Sequence, residues 1–115
     1  RTTAPVSWIR RSACLAIGRP LYAVLGNNDH GVDLPEQLVL EQNGQSFCLI
    51  HIPPRHLPVC DFLLHGHTHV PRDERVGDCR ILNPGSIGKA NKGAPASWAW
   101  LDIGARGVRW KINLL

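Results

Sequence analysis

The chain has 115 residues, 43% of them hydrophobic and 19% charged, with a formal net charge of +4. That length is one domain's worth at most, and the balance of apolar to charged residues excludes a disordered chain. No apolar run approaches the ~20 residues that a membrane-crossing helix needs, and no leader pattern opens the chain, so a cytoplasmic protein without membrane contact is expected. The charge is uneven: Arg1, Arg10, Arg11 and Arg19 are unopposed, while the remaining nine basic residues balance all nine acidic ones. A solvated helix face accounts for these arginines, and nucleic acid is not an expected partner. Cys14, Cys48, Cys60 and Cys79 form no Cys-x-x-Cys pair, and reduced thiols are expected. The chain begins at Arg1 and contains no methionine, so further coding sequence is expected to precede it.

In chain order, residues 3–17 read as a helix. Val6, Ile9, Ala13 and Ala16 share a face at helical spacing, Pro5 suits a first turn, and Gly18 with Pro20 stops it. Residues 21–25 form a short apolar run ended by Gly26, the pattern of a buried strand. Residues 37–41 suggest an outer strand before a turn at Asn43-Gly44. Two further apolar runs follow: 47–50, ended by His51, and 59–64, ended by His65 and Gly66. Residues 72–76 and 80–82 read as a hairpin about Gly77-Asp78. The tail gives strands 97–103 and 108–112, joined through residues 104–107. Period-two spacing puts Trp98 and Trp100 on one face, as core or interface residues.

All six histidines fall between residues 30 and 69. Polar groups also follow the apolar runs: Asn27, Asn28 and Asp29 after the first, His51 after the second, His67 and His69 after the third. Ligand sites of open α/β sheets gather at the carboxyl ends of strands, where loops converge on one edge. In Gly66-His67-Thr68-His69 two histidines at i and i+2 are expected to project from one side of an extended backbone, within reach of one metal or two adjacent ones.

These residues carry a resemblance. Gly26-Asn27-Asn28-Asp29, His51, Gly66-His67-Thr68-His69 and Asn83-Pro84-Gly85-Ser86 stand in the order and approximate spacing of the calcineurin-like metallophosphoesterases. The nearest likeness is to the small YfcE-like phosphodiesterases, and it runs from about Leu21 to Ile103. It implies a strand-rich α/β fold, the carboxyl-terminal part of that family's sandwich of β-sheets flanked by helices. It implies a two-metal site for hydrolysis of a phosphate ester, with Asn27, His51 and His67 on the second metal and His69 on the first. Asn28 and Asp29 would support the site, Asp29 by orienting its loop, and residues 83–86 would form a turn beside it. In the family mechanism two divalent ions ~3.5–4 Å apart clamp the phosphate and generate a hydroxide nucleophile. Manganese, iron, zinc and nickel all suit imidazole, amide and carboxylate donors.

The chain departs from the family pattern. The family's Asp-x-His and Gly-Asp-x-x-Asp motifs are absent, and residues 1–20 contain no Asp or Glu to replace a bridging carboxylate. The expectation is therefore a partial domain over residues 1–115, completed by an amino-terminal segment or by sharing ligands across a homo-oligomer. Many family members have a histidine where Asn28 stands, and Ile52-Pro53-Pro54 after His51 replaces a glycine and a further histidine. His30, His56 and His65 have no family counterpart and read as surface or supporting histidines. The alternative to an enzyme is a catalytically inactive fragment of the same fold serving as a protein-interaction scaffold, as a retromer subunit of related fold does.

Overall fold

The computed structural model describes residues 2–6, 22, 24, 26, 33–88 and 93–115. All regular structure among them is strand, in eight segments: β1 (Thr2–Val6), β2 (Gln37–Gln42), β3 (Gln45–Ile50), β4 (Phe62–Leu64), β5 (Arg72–Val76), β6 (Cys79–Asn83), β7 (Ser97–Gly104) and β8 (Gly107–Leu114). They form two sheets, a five-stranded one in the order β2-β3-β4-β6-β5 and a three-stranded one in the order β1-β7-β8.

Turn chemistry explains the hairpins. Asn43 and Gly44 both have positive φ, 56° and 77°, which Asn and Gly tolerate and which matches the twist of the strands they join. Between them β2 and β3 pair antiparallel from Gln37↔Ile50 to Gln42↔Gln45. β7 and β8 turn through Ala105 and Arg106, closed by the Gly104↔Gly107 pair. The three strands β3, β4 and β6 are parallel neighbours, registered Phe47↔Phe62↔Arg80 and Leu49↔Leu64↔Leu82. Their carboxyl ends therefore share one edge of the sheet.

Alternation divides the five-stranded sheet into two apolar faces. Phe47, Phe62, Leu64 and Leu82 meet Leu101 and Ile103 of the second sheet, with Val6, Val108 and Trp110 packed against them. Phe47 and Phe62 stack at 4.6 Å with ring planes 7° apart. Arg80 crosses between the sheets, donating to the Val108 carbonyl at 3.4 Å. The opposite face gathers Cys48, Leu63, Cys79 and Ile81, with Leu57 and Cys60 beside them. The Asn43 side chain also ties the sheets, donating to the Gly104 carbonyl at 2.8 Å.

Four expectations are corrected. Residues Thr2–Val6, read as the start of a helix, form an edge strand paired with β7 from Thr2↔Ile103 to Val6↔Ala99. Proline lacks an N–H to donate, so the outer strand of a sheet suits Pro5 as well as a helix start does. The rest of that helix lies outside the described residues. The strand read over 21–25 is not present at Tyr22 and Val24, which belong to no element, and Tyr22 is exposed. The run 59–64 is a strand only over Phe62–Leu64, because Val59 points fully into solvent. Of the two roles read for Trp98 and Trp100, core or interface, the core one falls away: Ser97, Ala99, Leu101 and Ile103 hold the buried face of β7, and Trp100 is 39% exposed.

Candidate functional site

The carboxyl edge of β3, β4 and β6 carries His51, His65 to His69, and Asn83. Continuing the β3–β4 pairing past Leu49↔Leu64 brings Gly66 beside His51, and the Gly66 amide donates to the His51 carbonyl at 3.0 Å. The His51 and His67 rings consequently meet edge to face, 5.4 Å between centroids and 82° between planes. Glycine suits this close approach, since a Cβ at Gly66 would stand 3.3 Å from His51 Nδ1 and the ring would have to give way. His51 and His69 are partly buried and His67 is exposed.

The backbone under these histidines is not extended, contrary to the sequence reading. His67 and His69 have φ of 68° and 62°, a region that side-chain-bearing residues rarely adopt. Thr68 N donates to the Gly66 carbonyl at 2.8 Å, closing a three-residue turn about His67 of the strained, positive-φ kind. Such strain persists where surrounding contacts over-determine it, and it clusters at functional sites.

Those contacts converge on one carbonyl. Gly66 O accepts from Thr68 N, from His65 Nδ1 at 2.9 Å and from Asn83 Nδ2 at 3.3 Å. Asn83 is fully buried at the end of β6; it also donates to Thr68 Oγ1 at 3.0 Å and accepts from the Gly85 amide at 2.9 Å. Because a carbonyl only accepts, His65 Nδ1 carries the proton and Nε2 is left to accept from Arg72 Nη1 at 3.1 Å. Arg72 is held in turn by Glu74, to which its Nε donates at 2.8 Å. Burial lowers the His65 pKa, opposed by the Gly66 carbonyl and reinforced by the Arg72 charge, which favours this neutral form.

Gly85 completes the edge. Its φ of 81° favours glycine, and a Cβ there would collide with Ser97 Oγ and crowd Pro71. Ser97 is itself buried and donates to the Pro84 carbonyl at 2.9 Å. The turn expected beside the site is thus wedged between β6 and β7.

Of the residues singled out in the sequence, the structure brings His51 and His67 together. Asn27, Asn28, Asp29 and His30 lie outside the described residues. Among the described residues no group of three His, Cys, Asp or Glu side chains converges as a metal cage. For His65, read as a surface or supporting histidine, the structure selects the supporting role, and the sequence reading missed those of Thr68 and Arg72. The sequence signal at His65 is its place directly after an apolar run, and the structure buries it there. Arg72, three residues beyond the His-x-His pair, left none. A shallow hollow of about 290 Å³ on the outer face of the other sheet, lined by Trp100, Asp102, Arg109 and Lys111, lies apart from this chemistry.

A model of the calcineurin-like phosphoesterase superfamily domain matches residues 6–106. The chain belongs to this family. The phosphodiesterase YfcE of Escherichia coli K12 is 36% identical over 101 residues, covering 75% of this chain and 54% of that protein. The chain thus spans about half the length of the curated relatives it matches. Among solved structures, the Escherichia coli phosphoesterase YfcE superposes with a TM-score of 0.61 at 32% identity, covering 67% of this chain and 50% of that one. A Thermotoga maritima protein gives 0.62 at 28% identity, covering 82% and 65%. Zinc-complexed Vps29 from Entamoeba histolytica gives 0.64 at 23% identity, covering 84% and 69%, a likeness of fold. The phosphoesterase fold therefore frames the histidine edge. Two imidazoles, one at the end of β3 and one on a strained, braced loop, fit part of a centre for a borderline divalent ion.

Proposed function

We propose that the chain is the carboxyl-terminal portion of a phosphodiesterase domain whose histidine edge helps to hold two divalent metal ions. The observation that carries this reading is the meeting of the His51 and His67 rings at the shared carboxyl edge of β3 and β4, in a chain of the phosphoesterase family. His51 and His67 would hold one ion together with the Asn27 side-chain oxygen, and His69 the other. When bound, such ions polarise a phosphate ester and lower the pKa of water to give a nucleophile near neutral pH. The chain's own contribution is orientation. Asn83 and neutral His65 fix the Gly66 carbonyl, that carbonyl fixes the turn, and the turn aims His67 at His51. Asn28 and Asp29 would support the loop after Gly26.

The substrate is a phosphate diester, and the remaining ligands come from an amino-terminal segment or a second copy of the chain. Helices flanking the sheets, as in the layered fold of the family, belong to the same proposal. Manganese, iron, zinc or nickel would serve, in a cytoplasmic setting. No described helix is long and apolar enough to cross a membrane.

The test is manganese-dependent hydrolysis of a chromogenic phosphodiester by the 115-residue chain, with calorimetric titration of Mn²⁺ alongside and His67→Ala as control. Binding that disappears in the control supports the ligand assignment, and turnover that disappears with it supports catalysis. A second reading, a non-catalytic interaction module, is favoured by Ile52-Pro53-Pro54 behind His51. It predicts neither Mn²⁺ binding nor turnover, and binding unchanged in His67→Ala would sink the first reading.

A further inference from the structure

The amino ends of the same parallel strands carry a second pair of reactive side chains. Cys60 stands two residues before β4 begins, and Cys79 is the first residue of β6. Their Sγ atoms are 3.8 Å apart. Both are free thiols, Cys79 buried and Cys60 partly accessible, so solvent reaches the pair through Cys60. The backbone here is tied, Arg80 N donating to the Asp61 carbonyl at 2.9 Å. Extending the register Phe62↔Arg80 back by one residue sets Cys79 beside Asp61, which puts Cys60 one step off the direct pair. Neighbouring strands lie ~4.8 Å apart, so such a diagonal pair falls within the ~6.8 Å Cα span of a disulfide. The sulfurs must close by roughly 1.8 Å to reach the ~2.05 Å bond length.

We propose that Cys60 and Cys79 are a modification site that takes up a disulfide by exchange with a small aliphatic disulfide such as oxidised glutathione. The Cys60 thiolate attacks one sulfur of the reagent, forming a mixed disulfide and releasing one small thiol. The Cys79 thiolate then attacks the Cys60 sulfur, closing the protein disulfide and expelling the second small thiol. Two protein thiols are oxidised, one small disulfide is reduced, and the two protons pass to the released thiols. Burial, then the hydrogen bond with Cys79, pushes the Cys60 thiol up to about 12, so the exchange is slow near neutral pH and quickens as pH rises. The bond would staple the ends of β4 and β6 away from the histidines. It does not depend on the metal-site reading.

The test incubates the reduced chain with oxidised glutathione at several pH values, quenches with N-ethylmaleimide and maps peptides without reduction. The expected product is a Cys60–Cys79 link with an intact mass lowered by two hydrogens, forming faster at higher pH and undone by dithiothreitol. Closing this loop should raise the melting temperature on the order of 10 °C. Cys60→Ser should give no link, and the wild-type map decides the matter even if that variant folds poorly. Glutathione retained on Cys60, a link through Cys14 or Cys48 instead, or maleimide on both Cys60 and Cys79 after long exposure would each overturn the proposal.

Discussion

The two edges of the parallel strands β3, β4 and β6 hold the same backbone in different ways. At the carboxyl edge, a buried asparagine, a buried histidine and a backbone amide all point at Gly66 O, and the loop they brace is strained at His67 and His69. At the amino edge Ser46 and Asp61 clamp the neighbouring strands. Asp61 Oδ2 accepts from Ser46 N at 2.9 Å and Ser46 Oγ at 3.3 Å, while Asp61 N donates back to Ser46 Oγ at 3.0 Å. That clamp lies at the surface, Asp61 exposed and Ser46 half-buried, with no positive φ at either. One edge spends buried polar groups on holding an unfavourable loop, and the other simply joins strands. Strand ends thus need few contacts to be secured, and the excess at the carboxyl edge marks a site that must keep a shape.

The largest break in this comparison should come from Gly85→Ala. Overpacking against Ser97 and Pro71, added to a positive φ, should cost about 3 kcal/mol in urea unfolding. Next, Asn83→Ala leaves the Gly85 amide without its acceptor and removes two donors, so a loss of about 2 kcal/mol is expected. Asp61→Ala at the amino edge should cost about half as much, because water replaces an exposed partner. Equal losses at the two edges would remove the distinction. His67→Gly should move stability the other way, up by about 0.5 kcal/mol as the strain is relieved, while weakening Mn²⁺ binding in calorimetry.

The smallest effect concerns acid. The Arg80 guanidinium, by hydrogen bonding at 2.9 Å, holds the Asp73 carboxyl below its usual range, with burial opposing. A depressed folded-state pKa gives stability that is complete above the unfolded value of ~3.9 and is lost as pH falls through the lower folded value. Asp73→Asn should therefore cost about 0.5 kcal/mol or less at pH 7, since the pair is partly exposed. The difference from wild type should shrink only below about pH 4.

How much of this was legible follows from which forces are local. Asn43-Gly44, Gly77-Asp78 and the Gly104 to Gly107 turn announce themselves because φ preference is a property of the residue, and three hairpins were readable from them. The apolar runs ending at His51 and His65 placed two strand ends on one edge, which is the histidine site in outline. β1 was not readable: Val6 fits a helical face by spacing, but pairing with β7 nearly a hundred residues away outweighs so weak a local signal. The outward turn of Trp98 and Trp100 is likewise set by tertiary partners, since alternation identifies two faces without saying which is covered. The strain at His67 was hidden because it arises from Asn83 and His65 acting on a backbone atom that has no side-chain signature.

The pairing of β1 with β7 also has a consequence for synthesis on the ribosome. β1 emerges before the other seven described strands, yet its partner residues, Ala99 to Ile103, are translated after more than ninety others. At ~5–20 residues per second that is a wait of roughly 5–20 s. The hairpins β2–β3 and β5–β6 are complete in sequence well before then. The five-stranded sheet can therefore assemble while the first strand still presents unpaired amides and carbonyls, and the docking of the second sheet is the step most open to capture by a neighbouring nascent chain.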